Sequence, residues 1–128
     1  MSERTLLRER LQMILGALER IPRRFAAINT PADFVTSQSG IDLMDSICMV
    51  LLATGEEFKK IDRETEGGLL ARYPQVTWRG AMGLRDVLAH GYFQIDPEQL
   101  YAICNENVPS LIETVQEMIW DLEEDPES

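Results

Sequence analysis

The sequence predicts an all-α fold, an up-and-down bundle of four main helices connected by short helices. Apolar residues recur every three or four positions over long stretches, which is the period of a helix with one buried face. No stretch alternates apolar and polar residues over the length of a strand, and neither Asn-Gly nor Asp-Gly, the common hairpin turns, occurs. Helices of this kind bury their apolar faces by packing against one another.

The first predicted helix follows a single apolar stripe with spacings of four and three. Pro22 lies inside the stripe and is expected to bend the helix, because proline lacks a backbone donor. Thr30-Pro31 then supplies an N-cap and a first helical residue, so a short helix is expected to begin there. The stripe consists of Leu7, Leu11, Ile14, Leu18, Ile21, Phe25 and Ile28.

The segment from Ile41 to Phe58 is apolar on more than one side, which predicts a central helix that contacts several neighbours. Gly67-Gly68 breaks the chain after this helix, and Tyr73-Pro74 marks another boundary. The apolar positions form two rows, one of Ile41, Met44, Cys48, Leu51 and Phe58 and the other of Leu43, Ile47 and Val50.

Two further main elements complete the bundle. Thr77-Trp78 is expected to open a helix that runs to about His90 and stops at Gly91. Asp96-Pro97 is a strong helix start, and Pro109 is expected to break or kink the helical segment around it. The last helix then carries one clean apolar stripe of Leu111, Val115, Met118 and Leu122.

Length and charge bound the class of protein. The 128 residues fit one domain, which we assign to residues 1–122, followed by an acidic tail at 123–128. The net charge is −10: residues 1–64 carry nine Lys/Arg and ten Asp/Glu, whereas residues 65–128 carry three and twelve. Because proteins bind phosphate backbones chiefly through Lys and Arg, this balance argues against tight nonspecific nucleic-acid binding but leaves room for a small basic pocket.

The cysteines and the N-terminus predict a cytoplasmic protein. Cys48 and Cys104 are too few for a disulfide framework and lack the paired spacing of a metal site. The first residues interleave acidic and basic side chains without an apolar core, so no signal peptide is expected. No apolar run approaches the length of a membrane span.

His90 is the only histidine, so proton transfer near neutral pH is expected to centre on it. Asp86 lies four residues earlier, on the same helical face, where its carboxylate can orient the imidazole and favour its charged form. Arg85 lies five residues earlier, about 140° around the helix. Either Gly91 unwinds the turn and lets Arg85 and His90 converge, or a second subunit presents its own copies; the second alternative is favoured.

One arginine, one histidine and one tyrosine suit the cleavage of RNA by its own 2′-hydroxyl. A base takes the hydroxyl proton, an acid protonates the leaving 5′-oxygen, and a guanidinium stabilises charge on the phosphate. One chain offers one imidazole and the reaction profits from two, so a two-fold dimer that brings both copies to one cleft would supply both roles.

A structural interpretation of the same residues stands beside the catalytic one. An Asp and a His four apart on a helix are most often a surface or half-buried pair, and Arg85 can be an ordinary salt-bridge partner. Tyr92 and Phe93, on either side of a turn, are more often core anchors than reactive groups. From spacing alone, the structural interpretation has the better odds.

The pattern around His90 extends beyond these residues, over nearly the whole chain. It consists of Asp33-Phe34, Ser39-Gly40, Gly55-Glu56, Lys60-Ile61-Asp62, Leu69-Leu70, Tyr73-Pro74, Trp78, Gly83, Arg85, Asp86, His90, Tyr92, Phe93, Ile95, Asp96 and Val108-Pro109-Ser110-Leu111. In this order the residues resemble the HepT-like group of the HEPN superfamily, whose signature is Arg-x4-His-x-Tyr.

The resemblance implies a HEPN-like helical bundle that forms a homodimer with the motif at the subunit interface. It also implies a metal-independent ribonuclease without a cofactor, the toxin half of a toxin–antitoxin pair, with Arg85 and His90 as the catalytic pair. Asp86, where Asn is common in the family, is expected to orient His90. Tyr92 would be the hydroxyl to which a partner nucleotidyltransferase of the MNT type attaches AMP, which would block RNA entry by charge and bulk.

Other functions and sites compete with this one. The chain could instead be a non-catalytic subunit that docks the nucleotidyltransferase or binds a nucleotide, or a structural dimerisation domain. Carboxylates at Asp42, Asp45, Glu56 and Glu57 lack the Glu-x-x-His motif of a di-metal bundle, so no metal is expected. Gly80 and Gly83 are expected to allow the close approach of another helix.

Overall fold

The computed structural model describes the backbone of residues 2–124 and their side chains, except those of residues 85, 87, 89, 90 and 124. Within this part of the chain every regular element is helical, which confirms the predicted all-α bundle. No helix in it is both long and apolar enough to span a bilayer. The α-helices are α1 (Glu3–Leu18), α2 (Arg20–Phe25), α3 (Gln38–Glu64), α4 (Trp78–Gly91), α5 (Pro97–Ala102) and α6 (Val108–Glu124).

The predicted first helix is present as two helices, α1 and α2, separated at Glu19. Pro22 explains the position of the break, because a proline ring clashes with the carbonyl group four residues earlier, here that of Leu18 at the end of α1. The predicted bend therefore lies one turn before the proline. All seven residues of the predicted stripe are buried or half-buried, which confirms the assignment of the buried face.

A 3₁₀ turn over Pro31–Phe34 connects α2 to α3 and confirms the predicted start at Thr30-Pro31. The Asp33 carboxylate accepts hydrogen bonds from the backbone N–H groups of Asn29 and Thr30, at 2.8 and 3.0 Å. These two bonds lower the pKa of Asp33 below its usual value, because they stabilise the ionised form.

Helix α3 is the centre of the bundle, in contact with α1, α2 and α4. Its packing confirms the prediction of a central helix, since it buries residues on more than one side. At its N-terminus the backbone of Gly40 passes so close to the carbonyl oxygen of Asp33 that no Cβ atom fits there. Just after the helix, Glu66 and Gly67 adopt the left-handed region, at φ values of 53° and 77°. The buried residues of α3 are Gly40, Ile47, Cys48, Val50, Leu51, Thr54, Gly55, Phe58 and Ile61.

The segment between α5 and α6 departs from regular α-helix as a π-helical turn over Ile103–Asn107. The predicted kink at Pro109 takes this form, because the proline clashes with the carbonyl group of Asn105 and the widened turn relieves the contact. Helix α6 then packs against α1, and the Arg4 guanidinium donates to the carbonyl oxygens of Asp121 and Leu122, at 3.2 and 3.0 Å.

Helix α6 continues through Glu124, which is the second residue of the predicted acidic tail. Residues 125–128 lie outside the described part of the chain. The domain boundary at residue 122 therefore stays a prediction.

Candidate active site on helix α4

Helix α4 is fixed at its N-terminus by a buried tryptophan. Trp78 Nε1 donates to the carbonyl oxygen of Tyr73 at 2.8 Å, and the indole meets the Phe58 ring edge-to-face at 5.1 Å. The Tyr73 hydroxyl in turn donates to Asp121 Oδ2 at 2.6 Å. The first turn of α4 is thereby fastened to both α3 and α6, so the rest of the helix projects from a fixed base.

The positions of the candidate residues follow from the continuity of α4. The helix runs without a break from Trp78 to Gly91, where φ of −140° turns the chain into a 3₁₀ segment over Tyr92–Gln94. The change of backbone at Gly91 comes after both Arg85 and His90, so these positions remain about 140° apart around one helix. Their side chains lie outside the described residues, and their roles stay predictions.

Asp86 forms an ion pair with a residue of another helix, which the sequence did not predict. Lys59 on α3 places Nζ 3.7 Å from Asp86 Oδ1, and both side chains are partly open to solvent. The pair links the middle of the proposed catalytic motif to the central helix. The predicted contact between Asp86 and His90 involves a side chain outside the described set.

Tyr92 and Phe93 lie at the end of the motif and differ in burial. Tyr92 is half-buried against the core, whereas Phe93 is 98% exposed, and the two rings meet edge-to-face at 5.5 Å. The structural interpretation of Phe93 as a core anchor is therefore wrong for this protomer. The partial exposure of Tyr92 is compatible with a modifying enzyme reaching it.

A groove of about 420 Å³ lies between α3 and α4 beside Asp86. Three cationic side chains from two helices line it together with two carboxylates. The groove was not predicted, because only the packing of α4 on α3 brings the two sets of side chains together. The signal in the sequence is faint, a spacing of four between Lys59 and Arg63 and of seven between Arg79 and Asp86. The lining residues are Lys59, Asp62, Arg63, Arg79, Met82, Gly83 and Asp86.

Neither cysteine offers a nucleophile. Burial raises the pKa of Cys48 to about 11, with Asp45 adding to the effect, and burial raises the pKa of Cys104 to about 12. Both thiols therefore stay protonated near neutral pH. Among the described residues, no group of three or more His, Cys, Asp or Glu side chains is arranged to hold a metal ion.

The two glycines of α4 do not serve the role predicted for them. A Cβ atom at Gly83 would meet no atom within 4 Å, and one at Gly80 would meet only the side chain of Thr77, 3.7 Å away. Neither position brings another helix of this protomer close, so the prediction of close helix approach is wrong within the protomer.

The fold and this surface define a class: a small helical-bundle protein whose candidate site lies on helix α4, beside a groove lined by three cations and two carboxylates. The family model described as "Ribonuclease HepT-like" matches residues 14–118, which include α4 and Arg-x4-His-x-Tyr. The chain belongs to the HepT-like ribonuclease family.

Three relatives from Methanocaldococcus jannaschii, each bearing the name "Putative RNase", are similar to this chain. One is 36% identical over 74 residues, which is 58% of each chain. A second is 28% identical over 79 residues, 62% of this chain and 65% of the relative. The third is 40% identical over 45 residues, 35% of this chain and 41% of the relative. Each match spans less than two-thirds of the relative's length. No solved structure matches the chain.

Proposed function

We propose that this protein is a metal-independent endoribonuclease, the toxin of a toxin–antitoxin pair, with Arg85 and His90 as its catalytic residues. The observation that carries the proposal is the family match over residues 14–118, because it includes the whole of α4 with its Arg-x4-His-x-Tyr motif. The exposure of the motif region supports it, since Asp86 within α4 and Phe93 just after α4 are both open to solvent.

The reaction is an internal transfer of the phosphoryl group. One imidazole, neutral, takes the proton from the 2′-hydroxyl, and the 2′-oxygen attacks the adjacent phosphorus. The bond from phosphorus to the 5′-oxygen breaks as a second, protonated imidazole gives its proton to that oxygen. The products are a 2′,3′-cyclic phosphate and a free 5′-hydroxyl. The Arg85 guanidinium stabilises the charge that develops on the phosphate oxygens.

The need for two imidazoles leads to the homodimer. Each chain has one histidine, and helix α4 keeps Arg85 and His90 on different faces. A two-fold arrangement of α4 helices supplies both residues from both chains. An exposed apolar side chain supports an interface here, because Phe93, 98% exposed, directly follows the motif.

Tyr92 is the proposed point of control. A partner nucleotidyltransferase of the MNT type transfers AMP from ATP to the tyrosine oxygen, with pyrophosphate as the leaving group and the phenolic proton lost to a base. The added phosphate places negative charge and bulk at the end of α4, where an RNA phosphate would otherwise approach. The Tyr92 ring is half-buried against the core, and Tyr92 follows His90 by two residues in the sequence.

The decisive experiment is RNA cleavage by purified protein in EDTA. We expect wild type to cleave, and Arg85→Ala and His90→Ala to lose at least about a hundredfold in rate, the usual scale of one acid–base or oxyanion contribution. Arg72→Ala is the matched control, because Arg72 is an exposed arginine in the 3₁₀ turn before α4. Cleavage that persists in His90→Ala would overturn the assignment.

The docking-subunit alternative has its own outcome. It predicts a stable complex with the nucleotidyltransferase and no cleavage at any protein concentration. The acidic second half of the chain, with three Lys/Arg against twelve Asp/Glu, is the feature that favours this alternative over a nuclease.

A further inference from the structure

We infer that the groove between α3 and α4 binds phosphates of the RNA backbone, with Arg63 and Arg79 as the phosphate ligands. The inference rests on the proposed function, because it names where the substrate of that same site lies. In this arrangement the RNA strand lies along α4, from the motif toward the N-terminus of the helix.

The charge of the groove differs from that of the chain around it. The chain as a whole is strongly acidic, and residues 65–128 contain only three Lys/Arg, of which Arg79 and Arg85 both lie on α4. The groove holds three cations against the carboxylates of Asp62 and Asp86. Within the described residues, neither Arg63 nor Arg79 is in a salt bridge with a carboxylate. A net positive groove on an acidic protein suits an anionic ligand, and a guanidinium binds a phosphate through paired hydrogen bonds.

The groove is aligned with the proposed catalytic position. Arg79, Gly83, Asp86 and His90 lie at i, i+4, i+7 and i+11, so their positions form one stripe along α4. Eleven residues of helix extend over about 16 Å. A strand that crosses the position of His90 and continues along this stripe enters the groove between α3 and α4.

Gly83 lies in the middle of this stripe. Glycine inside a helix is destabilising relative to alanine, so its presence there needs a reason. Packing in this protomer does not supply one, because a Cβ atom at Gly83 would meet nothing within 4 Å. A side chain at this position would stand in the groove between Arg79 and Asp86. The absence of one lets a ligand backbone lie directly on the helix.

The test separates binding from cleavage. The probe is a fluorescent single-stranded RNA with 2′-O-methyl groups, which cannot be cut by its own hydroxyl. Its affinity is measured by anisotropy in EDTA over a series of salt concentrations. Arg63→Gln and Arg79→Gln are each expected to weaken binding about tenfold and to reduce the slope of log K against log salt by about 0.7, the change for one phosphate contact on a single strand.

Matched controls and a steric variant complete the design. Lys60→Gln and Arg72→Gln each remove one positive charge outside the groove and should bind RNA as wild type. Gly83→Glu should abolish binding by bulk and charge while the melting temperature shows an intact fold, because the site is open in the protomer. Gly83→Ala is the control for the fold. It adds only a methyl group, so its melting temperature shows whether replacing this glycine by itself alters stability.

The outcomes distinguish a failure of the phosphate-site inference from a failure of the proposed ribonuclease function. If wild type binds and cuts RNA and the groove variants do so equally well, the groove is not the phosphate site and the nuclease proposal stands. If wild type neither binds the probe nor cuts natural RNA, both fail together. If Arg63→Gln and Arg79→Gln change the sedimentation of the protein and leave the salt slope unchanged, a second copy of the chain covers the groove and the inference is overturned.

Discussion

Lys59 Nζ lies 3.7 Å from Asp86 Oδ1, which joins the central helix to the proposed catalytic motif. Both side chains are more than a third exposed, so solvent screens the pair, and pairs of this kind contribute about 0–1 kcal/mol to stability. The contact therefore matters more for where the Asp86 carboxylate points than for holding the fold together.

The orienting role proposed for Asp86 predicts a shift in the pH dependence of cleavage. A carboxylate one helical turn from His90 favours the charged imidazole. Asp86→Asn removes that charge with little change of shape, so the pH optimum of cleavage is expected to move to lower values. Asp42→Asn is the matched control, because Asp42 is an exposed carboxylate of α3 outside the groove. A rate loss in Asp86→Asn with an unshifted pH optimum would refute the orienting role.

The exposed Phe93 predicts an interface variant that folds normally. Phe93 is 98% exposed in the protomer, so Phe93→Glu should leave its melting temperature nearly unchanged. In the proposed dimer the same change buries a charge. Sedimentation should therefore show monomers, and the RNA cleavage assay should show a loss of activity. Met13→Glu is the control, since Met13 is another exposed apolar residue but lies on α1. A dimer that survives Phe93→Glu with full activity would place the interface elsewhere.

Tyr92 predicts a variant that separates modification from cleavage. Tyr92→Phe keeps the half-buried ring and its edge-to-face contact with Phe93 but removes the acceptor oxygen. With the nucleotidyltransferase and ATP, mass spectrometry should find AMP on wild type and none on Tyr92→Phe, whose ribonuclease activity should resist inhibition. Tyr101→Phe is the control tyrosine. AMP mapped to another residue would contradict the assignment.

The sequence predicted most of the helices and their buried faces, because the period of apolar residues and the positions of proline and glycine act locally. It misplaced the break in the first helix by one turn, since the clash of Pro22 falls on the carbonyl group of Leu18. It also did not indicate a π-helical turn before Pro109. In both cases the helix-breaking effect of proline identified the residue that causes the distortion, but not the backbone geometry that relieves the clash.

The candidate site was predictable only in part, for a reason of a different kind. Asp86 could be placed on α4 from the apolar period, and Tyr92 just after the end predicted at Gly91. The cations Lys59 and Arg63 come from α3, 20 and 16 residues before Arg79, and reach the groove only through the packing of α3 on α4. No period in the sequence marks such a junction.

Asp33 predicts a loss of stability in acid. Hydrogen bonds from the backbone of Asn29 and then Thr30 lower its pKa below the usual 3.8. A lowered folded pKa means that the contribution is complete above pH 3.8 and disappears as the pH falls through the lower, folded value. Asp33→Ala should therefore melt at a lower temperature than wild type at pH 7, and the difference should close below about pH 3.8. A melting-temperature difference that stays the same below about pH 3.8 would contradict this role of Asp33.

Tyr73 predicts the opposite dependence, at the alkaline end. Its hydroxyl donates to Asp121 Oδ2 at 2.6 Å, so Tyr73→Phe should cost about 1–2 kcal/mol of unfolding free energy. Burial, followed by the bond to Asp121, raises the pKa of Tyr73 from 10 to about 12. The raised folded pKa keeps this stability in full below pH 10, and the difference between the variants should then shrink as the pH rises toward 12. Denaturant unfolding of both proteins at about pH 8 and about pH 11 measures it. An equal difference in unfolding free energy at the two pH values would show that the pKa of Tyr73 is not raised in the folded protein.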